Sequence, residues 1–296
     1  ERTPGAANAC PQARAAVDEF NVLPLDTVVL DGGPSIDQDG IDHKPVSYEW
    51  VIVDSPDGSI SRPIEAFHNP ADPANGGPED DHATPTALFW VDLAGTYTLE
   101  LRVTDRLGLD SIACDNPAIV TIEAVPDEAI HVQLVWQTPG DPDETDLSGS
   151  DLDLHLRHPL ARRWFANLND CYYANPQPDW GQPGNPGDDP TLDIDDTNGA
   201  GPENINLNHP ENTQALGAPY LVGVHYYDAV DRQTGVDYGH AMARVRIFLN
   251  GELAWEYTDA DGDPRSREME DTGHFWEAAE IHWPEARVET VDRYSR

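Results

Sequence analysis

The chain predicts an all-β protein made of two β-sandwich domains in tandem. Three observations carry that expectation. Short runs of alternating apolar and polar residues recur along the chain, and the alternation has the period of a strand. The 23 glycines and 26 prolines fall largely between those runs, where turns need them. Composition shifts at Val125-Pro-Asp-Glu128, which sets the expected boundary between residues 1–126 and residues 127–296.

Within the first domain the strand-like runs are Thr27–Leu30, Val46–Val53, Thr86–Val91, Thr96–Val103 and Ala118–Ala124. The fourth alternates most clearly. Tyr97, Leu99, Leu101 and Val103 share one face, and Thr96, Thr98, Glu100 and Arg102 the other. Strands of this length at this spacing suggest an immunoglobulin-like sandwich.

The order of motifs in this half also resembles a known family. Val29-Leu-Asp-Gly-Gly-Pro-Ser-Ile-Asp-Gln-Asp-Gly40, then Tyr48-Glu-Trp50, then Ala94-Gly-Thr-Tyr-Thr-Leu-Glu-Leu-Arg-Val-Thr-Asp-Arg-Leu-Gly108 is similar to a polycystic-kidney-disease (PKD) domain. The resemblance covers about residues 11–126. It departs after Trp50, where Val51-Ile-Val-Asp-Ser-Pro56 stands in place of a Phe-Gly-Asp-Gly turn. It implies an extracellular spacer or adhesion module without catalysis.

In the second domain Ile130–Trp136, Tyr220–Tyr227, Ala241–Leu249, Glu252–Tyr257 and Trp276–Trp283 read as strands, with Asn250-Gly251 as a two-residue hairpin turn. A sandwich or jelly-roll-like domain is the expected form. Residues 137–219 are rich in Pro, Gly, Asp and Asn apart from the strand at Asp151, and a loop region that long is commonly functional. Trp136-Gln-Thr138, Asp151-Leu-Asp-Leu-His155, Leu192-Asp-Ile-Asp-Asp196 and Gly201-Pro-Glu-Asn-Ile205 resemble the pattern of YfaP-like secreted bacterial proteins, over roughly residues 130–285. That group lends an expectation of fold more than of activity.

Two segments concentrate the chemistry. Period-two alternation places Asp151, Asp153 and His155 on one strand face and Leu152, Leu154 and Leu156 on the other. Further on, Asp193, Asp195, Asp196, Asn198 and Glu203 fall in a stretch bent by Gly199, Gly201 and Pro202. Carboxylates crowded this closely repel unless a cation sits among them, and calcium accepts six to eight oxygen ligands. The expected metal ligands are therefore Asp151, Asp153, Asp193, Asp195, Asp196, Asn198 and Glu203, with Asp193 and Asp195 sharing a strand face. The spacing is not that of an EF-hand. Asp37 and Asp39, in Asp37-Gln-Asp-Gly40, and the run Asp259-Ala-Asp-Gly-Asp263 are shorter candidates that ordinary Asp-Gly turns also explain. Zinc competes at His155, with His158, His209, His225 and His240 as further imidazoles, but no His-Glu-x-x-His motif is present.

Neither a Gly-x-Ser-x-Gly elbow nor a phosphate-binding glycine loop occurs, so an enzyme is not expected. A formal charge of −38, from 55 acidic and 17 basic residues, argues against nucleic acid and anionic membrane as partners. A high-salt habitat would also produce such acidity. No apolar run is long enough to span a bilayer, and no signal peptide is read ahead of Glu1. Of the three cysteines, Cys10 and Cys114 lie near the two ends of the first domain, and a disulfide tying its first strand to its last is expected. It would be worth on the order of 3 to 5 kcal/mol by loop entropy. Cys171 is left over. Together these features predict an extracellular, calcium-binding, non-enzymatic surface or adhesion module whose partners are calcium and other surface proteins or copies of itself. The alternatives are a carbohydrate-binding or hydrolytic accessory protein using Trp180, Asp153 and His155, with a glycan partner, and a subunit of an extracellular filament.

Overall fold

A computed structural model describes residues 7–39, 41–65, 84–144, 146, 148–197, 199–258 and 265–296. The chain divides into two compact units, Glu1–Val125 and Pro126–Arg296, and both are β-sandwiches.

The first unit carries β1 (Ala16–Val17), β2 (Asn21–Val22), β3 (Thr27–Asp31), β4 (Ser47–Asp54), β5 (Pro63–Glu65), β6 (Thr86–Trp90), β7 (Gly95–Thr104) and β8 (Ala118–Ala124). One sheet runs β1-β3-β6-β5 and the other β2-β8-β7-β4, which is the strand order of an immunoglobulin sandwich. Only β2 and β8 pair in parallel among its described strands. Val28, Leu30 and Phe89 from one sheet meet Leu99, Val120 and Ile122 from the other in a dry core. Tyr97, near the start of β7, is fully buried, and its hydroxyl donates to Asp92 Oδ1 (2.6 Å) and accepts from the Leu93 amide (2.8 Å). That bond returns the ring to the backbone just upstream and fixes the corner before the strand.

Cys10 and Cys114 form a disulfide. Its place differs from the expectation in detail. Cys10 precedes β1, and Cys114 sits in the turn between β7 and β8, so the bond ties the amino-terminal arm to a connection rather than strand to strand. Cys171 is free and buried.

The second unit carries β9 (Ile130–Gln137), β10 (Asp151–Arg157), β11 (Asp170–Cys171), β12 (Thr191–Ile194), β13 (Glu203–Leu207), α1 (Thr213–Leu216), β14 (Tyr220–Asp228), β15 (Ala241–Leu249), β16 (Glu252–Glu256), β17 (Arg267–Met269), β18 (Phe275–His282) and β19 (Arg287–Ser295). Its sheets run β11-β10-β14-β18-β19 and β12-β13-β9-β15-β16, with β17 added beside β15. Ile130, Val132, Leu134 and Trp136 of β9 face Leu152, Leu154 and Leu156 of β10 in one core. Asn250 and Gly251 both have positive φ (53° and 82°) and join β15 to β16, as the Asn-Gly signal predicts.

Candidate metal centre

The alternation of β10 does what its spacing predicts. Leu152, Leu154 and Leu156 enter the core, while Asp151, Asp153 and His155 face the other way and are nonetheless buried, at 5%, 2% and 0% exposure. Among the described residues, the outer edge of β10 pairs with no strand beyond β11 at Leu156 and Arg157. Glu203, the first residue of β13, fills that edge. Its Oε2 accepts the Leu154 amide hydrogen at 2.6 Å. The side chain is fully buried, and no donor among the described residues reaches its other oxygen, Oε1.

Asp153, Asp195 and Glu203 each bring a carboxylate oxygen within 4.8 Å of the others. Asp151 adds a fourth carboxyl group nearby, and its Oδ1 is buried without a donor among the described residues. The compensating cation is meagre. Arg232 reaches Asp151 Oδ2 at 3.5 Å but also reaches Asp228, lies over the Tyr227 ring, and is itself half exposed. Burial first, then Asp153 beside it, pushes the Asp151 carboxyl up to about 8. Burial pushes Glu203 well above the usual carboxylate range, with Asp153 the next cause. Asp195, at the solvent rim, is raised mainly by desolvation and further by Asp153. Acceptor oxygens that are buried, mutually repelling and short of donors suit a hard cation with oxygen ligands.

Backbone contacts hold the two arms of this centre together. The Trp136 indole donates to the Ser150 carbonyl (3.1 Å), and the Trp136 amide to the Ala200 carbonyl (3.0 Å). Gly201, at φ 85°, lies so close that a Cβ there would stand 3.0 Å from the Trp136 ring. Asp196 is close enough to raise Asp151, and its Oδ2 accepts the Gly201 amide hydrogen at 3.0 Å.

Other expected ligands lie elsewhere. Asp193 is not part of the group formed by Asp153, Asp195 and Glu203. The register of β12 shifts between Leu192 and Ile194, Asp195 follows the strand's end, and the Asp193 carboxylate instead accepts from Asn206 Nδ2. Asn198 and the run 259–263 lie outside the described residues. Asp37 and Asp39 do come together in the first unit, near Asp105, whose Oδ2 accepts from Asn8 Nδ2 at 2.5 Å. Asp37 is buried with Oδ1 unpaired, and burial and Asp39 both raise it.

Among the histidines the structure selects two. His155 and His225 form a group with Asp153, with donor atoms within 4.8 Å, and His225 Nδ1 lies 3.0 Å from Asp153 Oδ2. His158 is occupied at both nitrogens, by Glu211 and by the Leu160 amide. His209 Nδ1 sits on the Gly187 carbonyl. Trp180 is no sugar platform. It is 4% exposed, donates to the Leu168 carbonyl and stacks on Tyr220. Sequence reasoning missed Asp170, Arg232 and Glu144 altogether. Their partners are distant in sequence or lie on backbone, so no local spacing signals them. Burial lifts Glu144 to about 7, while its Oε1 accepts the Thr138 amide hydrogen.

No family model matches the chain. The human low-density lipoprotein receptor-related protein 11 is 32% identical over 117 residues, 40% of this chain and 19% of that protein, so the match spans a small part of the relative. A solved structure from work on the promiscuous specificity of carbohydrate-binding modules of the β-sandwich superfamily aligns over 84% of this chain and 99% of its own. The TM-score is 0.30 and the identity 14%, a likeness too distant to speak to function. No described helix is long and apolar enough to cross a membrane.

Proposed function

We propose that this protein is an extracellular, non-enzymatic module whose second sandwich binds calcium at Asp153, Asp195 and Glu203, with Asp151 alongside. The observation that supports it is the Glu203 carboxylate. It is fully buried, beside two other carboxylates within 4.8 Å, and one of its oxygens lacks any donor. Leaving such an oxygen unpaired costs on the order of 1 to 3 kcal/mol, more if it is charged. A bound cation removes that cost and the repulsion together. Its role is structural: it clamps the loop before β13 to the edge of β10 and makes folding calcium-linked. The PKD-like and YfaP-like resemblances fit a surface or adhesion setting, as does the disulfide, which belongs to oxidising compartments.

Melting curves of the full chain in millimolar calcium and in EDTA test this. A clear rise in Tm with calcium is expected, and superimposed curves would dismiss the reading. A glycan-binding reading keeps one foothold after the loss of Trp180. Phe165 and Tyr173 are 42% and 38% exposed, and the Phe165 ring packs edge-on against His225 beside Asp153. A glycan array probed in calcium decides it.

A further inference from the structure

The outer face of β10 and β14 holds a second set of donors, of which the carboxylate cluster uses only Asp153. His155 is fully buried, and its Nδ1 lies 3.1 Å from Asp170 Oδ2, itself fully buried and also accepting from the Phe165 amide. With that bond fixing the proton on Nδ1, the lone pair on Nε2 is exposed to the interior, and no donor meets it. An imidazole steered by a carboxylate at one nitrogen, with the other free, is the arrangement metal-binding histidines use. The aromatic surround is dense. Tyr172 stacks on the ring at 4.7 Å, and Trp164, Phe165 and Phe275 close around it edge-on. Gly223, directly across from His155 on β14, makes that enclosure possible, since a Cβ there would come within 2.6 Å of the Phe275 ring.

We propose that Asp153, His155 and His225 form a site for a divalent transition ion of the zinc type. Two imidazoles and one carboxylate are a donor set that zinc accepts and calcium does not favour. Asp170 is the positioning residue, and the aromatic ring of side chains limits water. His225, 18% exposed, lies on the solvent side, where a fourth ligand enters. The inference stands apart from the calcium reading, although Asp153 takes part in both groups.

Cobalt(II), added to the full chain after chelator treatment and dialysis, reads the site directly. A saturable visible absorption band from one bound ion is expected, displaced by zinc, with hyperfine-shifted exchangeable imidazole protons from two histidines in the proton NMR spectrum. The band should vanish in His225→Gln and persist in Asp195→Asn, which lies outside the Asp153–His155–His225 group, and in His282→Ala. That last variant removes the half-buried Glu280–His282–Glu289 group, which would otherwise compete for cobalt. The proposal is overturned by the absence of a saturable band, by shifted protons from fewer than two histidines, or by loss of the band in either Asp195→Asn or His282→Ala. The NMR reading needs no variant, so a His225→Gln protein that fails to fold does not shelter the idea. A calcium-insensitive melt with an intact cobalt band would sink the calcium reading alone.

Discussion

Gly149 and Gly199 meet backbone to backbone. A Cβ on Gly149 would lie 3.1 Å from both the Cα and the amide nitrogen of Gly199. One glycine leads into β10 with Asp151 and Asp153, and the other follows Asp195 and Asp196, so the contact sets the spacing between the two carboxylate arms. Gly149 also holds φ at 133°, where a side chain is strained whatever the room. Gly149→Ala should therefore cost about 1 to 3 kcal/mol and weaken calcium binding together. Calcium titration by calorimetry, alongside a urea melt, checks both; an unchanged affinity would show that the arms do not need this contact.

Glu203→Gln separates a metal ligand from a scaffold residue. In EDTA the amide keeps an oxygen for the Leu154 N–H and carries its own donor toward Asp195, a contact that Glu203 makes only when protonated, so the metal-free protein should be as stable as the parent or more so. In calcium the parent should overtake it. Equal differences between the two proteins in both buffers would remove Glu203 from any cation site. Asp195→Asn should behave likewise, with the smaller apo effect of a group nearer solvent.

The carboxyl groups of Asp151 and Glu144 are raised to about 8 and about 7 from their ordinary 3.8 and 4.5. A carboxyl raised by folding favours the native state while protonated. That contribution is whole below about pH 4 and is lost as pH climbs through 7 to 8. Stability in EDTA should thus fall across this range, and calcium should remove the share that comes from Asp151, leaving that of Glu144. Urea midpoints at several pH values with and without calcium give the result; a flat EDTA profile would contradict it.

His131 acts in the opposite sense. Burial lowers it from 6.5 to about 4, and the Asn206 side-chain oxygen, 2.5 Å from Nδ1, only partly offsets that. Its stabilising share is present above pH 6.5 and disappears as pH drops through 4, amounting to on the order of 3 kcal/mol. His131→Gln should flatten the acid limb of the stability profile relative to the parent, and identical limbs would refute the assignment.

Much of the fold was legible because its signals are local. The alternation in Thr96–Val103 and in Asp151–Leu156 reappears as β7 and β10 with the expected faces inward, and Asn250-Gly251 turns where its chemistry requires. The short strands β11, β12, β13 and β17 were not, because two to five residues carry too little periodicity to be told from loop. The site was legible in part. Asp153, Asp195 and Glu203 converge, but the shift at Leu192 that turns Asp193 toward Asn206 arises from pairing with β13 and leaves no trace in the residues of β12. The Asp170 to His155 link likewise depends on a strand pair at Arg157 that no spacing announces.

The first unit offers a prediction free of metal. Tyr97→Phe strips a donor from Asp92, which is fully buried, and an acceptor from the Leu93 amide. A loss of about 1 to 3 kcal/mol is expected by chemical denaturation of the disulfide-bonded protein. A change under a few tenths would mean that the corner is held by packing alone.

Glu203 has one more consequence. A strand with a bare flank offers its amides to any extended chain that drifts alongside, and proteins blunt such flanks with inward charges. By taking the Leu154 amide, the Glu203 carboxylate withdraws one rung of the ladder that a visiting strand would climb. An ion seated on Glu203 locks that rung away, so calcium, besides steadying the fold, would keep the molecule from joining its neighbours through β10.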